Sequence, residues 1–385
     1  MISFKPALKA VACSVALLRV SLATISANAA SETKSPIQLS DMGSFMFAGS
    51  VKTASDGETF HGDHGYAQYF IPLHSHSLPI VMWHGGGQSG KSWESTPDGR
   101  DGFWQIFTRA GWPVFIIDQP RRGRAGRTDV ADSSSQIPTD NKESMAWNTF
   151  RLGTWVPPGK PQAFKNTAFP QGPYSLEQFM RWQTPNTGPE PFPDAGERHF
   201  QGQAVADLFK KIGPGILMTH SQSGQYGWET AMQVPELVKG VVAFEPGAYA
   251  FPESDLPPDV PTKISFVASG TAPQVVSDAR FKNLTRMPIV IYFGDNITDK
   301  PSPVFGVEVW RVIKTRAQQF VDTVNRHGGH ATLIDLPSMG IHGNTHFIFA
   351  DKNNAQIATM TQQYLEKQHL AGSDNSYVIP ESVHH

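Results

Sequence analysis

The feature that most constrains this chain is the segment 215–224, which reads Gly-Ile-Leu-Met-Thr-His-Ser-Gln-Ser-Gly. An apolar run typical of a buried strand leads into a small-x-Ser-x-small pattern, in which Thr219 and Ser223 flank Ser221. Small residues are needed at such a turn because the backbone reverses sharply and neighbouring chains approach closely. The segment therefore predicts a strand-to-helix turn that lifts the hydroxyl of Ser221 above a sheet. It also places the N–H of Gln222 at a helix N-terminus, where partial positive charge favours an anion.

The neighbouring serine offers a second register for the same pattern. If Ser223 were the exposed residue, Gln225 would occupy the second small position, for which it is too bulky. Ser221 is therefore the favoured nucleophile. An ordinary strand–turn–helix remains the alternative for such a motif taken alone.

Three consecutive glycines follow another apolar strand, Ile80–Trp83, in the order His84-Gly85-Gly86-Gly87. Backbone amides can approach a ligand closely only where Cβ atoms are absent. A turn of this H-G-G-G type supplies an oxyanion donor in α/β-hydrolases, and we assign that donor to the N–H of Gly86, beside the N–H of Gln222. A glycine-rich loop can also bind phosphate, but neither G-x-G-x-x-G nor a G-K-S/T helix start follows.

Short apolar runs alternate with longer amphipathic stretches along most of the chain, and the early pair 45–52 and 67–72 has no helix between its members. This alternation predicts a mostly parallel twisted sheet with helices on both faces, in an α/β-hydrolase fold with an antiparallel start. The expected strands are 67–72, 80–83, 114–117, 215–218, 240–244, 289–293 and 331–336. The expected helices lie near 102–110, 201–212, 222–234, 306–327 and 354–367.

Residues 121–200 interrupt the alternation. They hold 10 of the 30 prolines together with many aromatic residues. An irregular stretch of this length inside a domain is usually a functional lid or disordered, and its aromatic residues argue against disorder. We expect a cap inserted over the carboxyl edge of the sheet, with ordinary packing of a long excursion as the alternative.

A serine nucleophile needs a histidine base, because an imidazole titrates near neutral pH and can accept the serine proton. The histidine comes last in the chain order of this fold, and two fall after the final strand, His342 and His346. Spacing favours His346 and leaves His342 to shape the loop beside Gly343. The pair could also suggest zinc, but no glutamate stands between them as in H-E-x-x-H, and we expect no metal or cofactor.

Two residues are candidates for the acid that orients the histidine. Asp295 ends a strand where this fold most often places its carboxylate. Glu245 ends the strand that follows the serine helix, so it would lie on the neighbouring strand about 4.8 Å away, and its extra methylene could reach the imidazole from there. A glutamate at the end of an apolar strand is otherwise costly to bury. The residues alone leave the choice open.

The N-terminus has the layout of a secretory signal peptide over residues 1–29: basic residues and no acid, the apolar stretch 10–18, and Ala27-Asn28-Ala29 as a cleavage site. An N-terminal anchor or a disordered tail is the alternative. The only cysteine, Cys13, leaves with that segment, so the remaining domain 30–385 has no disulfide. Export without disulfides favours a bacterial periplasm or culture medium.

Charge and hydropathy exclude two other classes of protein. The 32 Lys and Arg residues nearly balance the 34 Asp and Glu residues, so no electrostatic signature of nucleic-acid binding is present. No apolar run approaches the roughly 20 residues of a membrane-spanning helix.

Taken together, the motifs resemble a small bacterial family of exported α/β-hydrolase serine esterases, whose characterised member carries two adjacent cysteines at the oxyanion loop. The resemblance extends from about residue 45 to about residue 364. The matching segments are 78–85, 93–100, 117–124, 220–224, 245–247 and 342–346.

The resemblance implies a triad of Ser221, Glu245 and His346, a supporting role for Asp295, and a homodimer. Gly86-Gly87 stand where that family member has its cysteines, so the disulfide does not carry over. We therefore expect a periplasmic or secreted hydrolase of small-molecule carboxylic esters. A lactonase or amidase with the same triad, a non-catalytic binding protein and a metal-dependent hydrolase are the alternatives.

Overall fold

An eight-stranded sheet forms the centre of the computed structural model, which describes residues 34–126, 142–183, 193–372 and 376–383. Within those residues the strands lie in the order β1-β2-β4-β3-β7-β8-β11-β12. Two further pairs, β5 with β6 and β9 with β10, form small sheets outside the main one. The strands are β1 Leu39–Thr53, β2 Thr59–Pro72, β3 Ile80–Trp83, β4 Val114–Asp118, β5 Gly153–Thr154, β6 Gln162–Ala163, β7 Gly215–His220, β8 Val238–Phe244, β9 Ala250–Pro252, β10 Gln274–Val276, β11 Pro288–Phe293 and β12 His330–Asp335.

The described helices alternate with these strands along most of the chain. They are α1 Phe103–Arg109, α2 Glu143–Thr149, α3 Pro173–Trp182, α4 Ala195–Ile212, α5 Gln222–Gln233, α6 Ser265–Gly270, α7 Asp278–Phe281, α8 Phe305–Arg326 and α9 Asn354–Lys367. Short 3₁₀ turns lie at 90–93, 123–125, 282–286, 337–339 and 381–383.

Six strands of the main sheet, from β4 to β12, run parallel, whereas β1 and β2 form an antiparallel hairpin at one edge. Side chains of α4, α5 and α8 pack on one face of the sheet, and those of α1 and α9 pack on the other. The prediction of a mostly parallel sheet covered on both faces, with an antiparallel start, is therefore confirmed. The hairpin is longer than expected, because β1 and β2 stay paired out to Thr53 and Thr59.

Four of the parallel strands bring the candidate residues to one edge of the sheet. β3 precedes the triple glycine, β7 precedes Ser221, β8 precedes Glu245, and β11 precedes the loop that contains Asp295. The carboxyl ends of neighbouring parallel strands meet at the same edge, so these four loops are neighbours in space. The fold therefore assembles one site from segments far apart in the sequence.

The expected irregular stretch 121–200 contains more regular structure than its proline content suggests. Helices α2 and α3 and the small pair β5–β6 lie within it, and α4 begins at Ala195, ahead of the expected start at Gln201. Trp147 and Phe179 from these helices are buried against the main core, and such burial offsets weak local propensity. Residues 127–141 and 184–192 of the expected cap, and the expected signal peptide, lie outside the described residues. Among the described helices, none combines the length and apolar character needed to cross a membrane.

Candidate active site

Ser221 stands at the turn between β7 and α5 in a backbone conformation that few residues other than glycine adopt, with φ of 56° and ψ of −121°. Three backbone hydrogen bonds hold it there. Its N–H donates to the carbonyl of Phe244 at 3.0 Å, and its carbonyl accepts from the N–H groups of Gly224 at 3.0 Å and Gly247 at 2.8 Å. Strained backbone persists only where the surroundings fix it, and such positions concentrate at functional sites.

The hydroxyl of the neighbouring Ser223 has a different environment. It is fully buried and lies within 3.0 Å of the carbonyl oxygens of Trp83 and His220, either of which can accept its single proton, and it accepts from the N–H of His220 at 3.0 Å. Ser221 is partly exposed. The side chain of Ser223 therefore joins the elbow to β3, and the side chain of Ser221 is the one that faces the open side of the turn.

The triple-glycine loop packs directly against the elbow. A Cβ atom added to Gly85 would lie 2.9 Å from Nδ1 of His220, a distance that real Cβ atoms essentially never show, and 3.1 Å from Cβ of Ser221, which is also a tight contact. A Cβ atom on Gly86 would lie 3.1 Å from the side-chain oxygen of Gln222. The absence of side chains thus lets the backbone of Gly85 and Gly86 reach Ser221 and Gln222. The loop conformation is supported by His84, whose Nδ1 lies 2.8 Å from the carbonyl of Gly85.

His346 and Glu245 are both fully buried and share a short hydrogen bond, 2.6 Å between Nδ1 and Oε2. The bond fixes the ring so that Nε2 is the other available nitrogen, and Nε2 is buried without a hydrogen-bond partner. A buried polar atom without a partner is uncommon in a folded protein and calls for an explanation. The ring of His346 stacks on that of Phe150 at 5.3 Å, and the backbone N–H of His346 donates to the carbonyl of Phe150 at 3.0 Å.

The carboxylate of Glu245 has three donors besides the imidazole. Arg151 donates from Nη1 to Oε2 at 3.0 Å and from Nη2 to Oε1, and the N–H of Gly294 donates to Oε1 at 2.8 Å. Burial opposes ionisation of the carboxyl, but the charge of Arg151 and the hydrogen bond from His346 lower the pKa of Glu245 to about 2. Glu245 is therefore ionised at neutral pH.

For His346, burial is the largest effect and disfavours the charged ring. The Glu245 carboxylate acts in the opposite direction, and the charge of Arg151 reinforces burial. The net result is a pKa below the ordinary value of 6.5. The ring is consequently neutral at neutral pH, the form that can accept a proton.

The other acid and base candidates from the sequence, Asp295 and His342, are paired with each other rather than with His346 or Glu245. Asp295 accepts from the N–H of Gly343 at 2.8 Å and from Nδ2 of Asn166 at 2.9 Å, and its Oδ2 lies 3.3 Å from Nδ1 of His342. The side chain of His342 is mostly exposed. The structure thus pairs Glu245 with His346 and Asp295 with His342, and Asp295 holds the loop that leads to His346.

Three residues at the site were not singled out from the sequence. Besides Arg151, they are His220, whose Nε2 donates to the carbonyl of His346 at 2.9 Å, and Asp351. Asp351 is fully buried and accepts from the N–H and hydroxyl of Thr345 at 2.7 and 2.9 Å, and from Nδ2 of Asn344 at 3.1 Å. Burial raises the pKa of Asp351 to about 7 despite these bonds. Its position five residues after His346 was the only signal in the sequence.

Comparisons with known proteins give two relatives of high coverage. The chain is 26% identical over 325 residues to the probable secreted lipase phiG of a fungal species, covering 79% of this chain and 86% of that protein. It is 28% identical to a solved structure described as a novel bacterial esterase, with a TM-score of 0.67, covering 87% of this chain and 98% of that one. No family model matches.

The sheet order, the helices on both faces and these two relatives, one named as a lipase and the other as an esterase, define the chain as a hydrolase with the α/β-hydrolase fold. The finer resemblance to a family member with adjacent cysteines at the oxyanion loop does not extend to that feature. Cys13 is the only cysteine in the sequence, and residues 86 and 87 are glycines.

Proposed function

We propose that this protein hydrolyses carboxylic esters through an acyl-enzyme, with Ser221 as nucleophile, His346 as general base and Glu245 as the acid that orients the base. The observation that carries the proposal is the buried 2.6 Å bond from Nδ1 of His346 to Glu245, which leaves Nε2 without a partner. A neutral imidazole held in this way can accept a proton only at Nε2.

In the proposed reaction, Nε2 of His346 takes the hydroxyl proton of Ser221 while Oγ of Ser221 attacks the ester carbonyl carbon. The resulting oxyanion accepts hydrogen bonds from the N–H groups of Gly86 and Gln222. The imidazolium, stabilised by ionised Glu245, then protonates the departing alcohol oxygen as the tetrahedral intermediate collapses. A water molecule, activated by the same histidine, releases the acid and regenerates Ser221.

In this structure no hydrogen bond joins Nε2 of His346 to the hydroxyl of Ser221. Catalytic hydrogen bonds are often long or poorly aligned without substrate and shorten in the reacting complex. Contact between the rings of His220 and His346, whose centroids are 4.4 Å apart, supports the proposed proximity, since His220 directly precedes Ser221. We expect rotation about χ1 of Ser221 to complete the bond when an ester binds.

We further infer the organisation and location of the protein from sequence features. Residues 1–29 would serve as a signal peptide, residues 30–385 as the hydrolase domain, and residues near 121–200 as a cap. Export to the periplasm or medium is supported by the secreted status in the name of the fungal relative. A bacterial source, kinship with the family that has a cysteine pair, and a homodimer are parts of the same proposal.

The test is hydrolysis of p-nitrophenyl esters of graded acyl length by the wild type and by the Ser221→Ala variant. The wild type should hydrolyse at least one ester in the series, and the variant should fold normally while kcat falls by about 10³- to 10⁶-fold. Unchanged hydrolysis in the variant would refute the assignment. Parallel assays with lactones and anilides of the same acyl length separate an esterase from a lactonase or an amidase.

A further inference from the structure

Arg151 is an unusual residue to find beside a catalytic acid. It comes from the segment after α2, within the expected cap, and its backbone has a positive φ of 60°. Only 3% of its side chain is exposed. Both nitrogens of its fork donate to Glu245, and its Nε donates to the carbonyl of Asp295 at 2.9 Å. A buried cation is costly unless it is paired and hydrogen-bonded, so this geometry is tightly constrained.

The two residues before Arg151 also contact the site. The carbonyl of Phe150 accepts from the N–H of His346, and the ring of Phe150 stacks on the imidazole. The carbonyl of Thr149 accepts from the indole N–H of Trp310. The ring of Trp310 lies 4.2 Å from that of His346 and 5.2 Å from the guanidinium. One three-residue segment thus touches both the base and the acid.

We propose that Arg151 is a positioning residue for ester hydrolysis: a clamp from the cap segment that fixes the Glu245 carboxylate and limits how strongly it stabilises a charged His346. The inference rests on the proposed function. It assigns the segment after α2 a part in the reaction beyond covering the site. The clamp also explains how a glutamate, which has one more rotatable bond than aspartate, is held in a single orientation.

Arg151 and His346 share the one carboxylate of Glu245, and His346 becomes a cation only when it accepts a proton. Arg151 neutralises part of the charge that would otherwise favour a protonated imidazole, and its own charge lowers the pKa of His346 further. Removal of that charge should therefore raise the pKa of His346. The other titratable groups that act on this pair are His220, Tyr249 and Asp351, and the backbone carbonyl of Asp295 accepts from Arg151. None of them changes in the proposed substitutions, so the direction of the shift is set by Arg151.

The test compares the pH profiles of kcat/KM for the wild type, Arg151→Met and Arg151→Lys. Methionine keeps an apolar side chain but removes the charge and the paired donors of the guanidinium. Lysine keeps the charge but not the paired donors. In Arg151→Met we expect the acid limb of the kcat/KM profile to move to higher pH. The plateau value of kcat/KM should fall by about 10- to 100-fold. Arg151→Lys should keep the limb near its wild-type position with a smaller loss.

A matched control is Arg316→Met. Arg316 is similarly buried, with 5% exposure, and donates to the carbonyl of Pro258 and to the side chain of Gln319 rather than to Glu245. Its loss should lower the melting temperature without moving the acid limb. If folded Arg151→Met labels with a fluorophosphonate at Ser221 but keeps the wild-type limb, the proposal for Arg151 is overturned. A wild type that neither labels nor hydrolyses esters would instead contradict the proposed function.

If Arg151→Met does not fold, because Glu245 is left buried without its cation, a second pair of variants gives the same comparison. Glu245→Gln keeps Arg151 without its anion, and the double variant Arg151→Met/Glu245→Gln removes both charges. The rate of fluorophosphonate labelling should have its acid limb at higher pH in the double variant than in Glu245→Gln. Coincident limbs would overturn the proposal.

Discussion

Nε2 of His220, the residue before the proposed nucleophile Ser221, donates a hydrogen bond to the backbone carbonyl of His346, 2.9 Å away. Burial and the neighbouring His346 keep the pKa of His220 well below its ordinary value, so the ring is neutral and serves as a fixed donor. The end of β7, which positions Ser221, is thereby joined to the loop that contains His346. This contact joins two segments of the proposed active site that are 126 residues apart in sequence.

The contact predicts different outcomes for two substitutions of His220. Glutamine can place an amide N–H near the position of Nε2, whereas alanine removes the donor and leaves a cavity. We expect His220→Ala to lower kcat by about 10- to 100-fold with a smaller change in KM, since positioning of a bound ester is lost rather than its binding. His220→Gln should recover part of that loss. Equal kcat values for the two variants would argue against the tether.

The pH dependence of the reaction follows from the ionisation of the pair. The proposed mechanism needs neutral His346, whose pKa lies below 6.5, and ionised Glu245, whose pKa is about 2. The acid limb of kcat/KM should therefore have its midpoint below 6.5, and activity should be at its plateau at neutral pH. Measurement of initial rates in constant-ionic-strength buffers checks this. A midpoint above the ordinary histidine value would contradict the assigned electrostatics.

The raised pKa of Asp351 leads to a prediction about stability rather than about rate. Its pKa is 3.8 in the unfolded chain and about 7 in the folded protein, so between these values the folded state holds a proton that the unfolded state has lost. The stabilisation from that proton is present at low pH and is lost as the pH rises towards 7. Asparagine cannot ionise, and its amide can keep contacts with Thr345 and Asn344.

Relative to the wild type, Asp351→Asn should therefore gain in free energy of unfolding as the pH rises across this window. Urea titrations at several pH values measure the difference. Asp322→Asn, at an exposed position on α8, is the control and should show no such trend. A difference between Asp351→Asn and the wild type that is independent of pH would show that Asp351 ionises normally in the folded protein.

Gly85 and Gly86 have different neighbours, so substitution by alanine should have different effects at the two positions. In Gly85→Ala the new methyl group would meet Cβ of Ser221 and the ring of His220, which is held in place by its bond to His346. In Gly86→Ala it would meet the end of the flexible Gln222 side chain, which can move by the few tenths of an ångström required. We expect a loss of kcat of about 100-fold or more in Gly85→Ala and a much smaller loss in Gly86→Ala. Equal losses would contradict this packing.

The sequence was sufficient for those parts of the site that depend on local backbone chemistry. The small-x-Ser-x-small pattern predicted the elbow at Ser221, and the apolar runs predicted the central parallel strands, because strand periodicity and turn sterics act over a few residues. The choice between Glu245 and Asp295 could not be made from the residues alone. The choice depends on which of the two carboxylates lies within reach of His346, which the loop after β12 positions. That is a property of tertiary structure.

Arg151 shows the other limit of sequence reasoning. It lies between a short helix and a two-residue strand, in a stretch whose prolines obscure any periodicity. Its role depends on partners 94 and 144 residues away in the chain, Glu245 and Asp295. Helices α2 and α3 were missed for a related reason, since they are stabilised by burial of Trp147 and Phe179 rather than by local propensity.

The most direct test of the account is to label the protein with a fluorophosphonate and map the adduct by peptide mass spectrometry. We expect one adduct per chain, on Ser221, and none in the Ser221→Ala variant. The adduct should persist in folded Ser223→Ala, because Ser223 makes only structural hydrogen bonds. An adduct on Ser223, or ester hydrolysis by a protein that the probe leaves unlabelled, would contradict the assignment of the nucleophile.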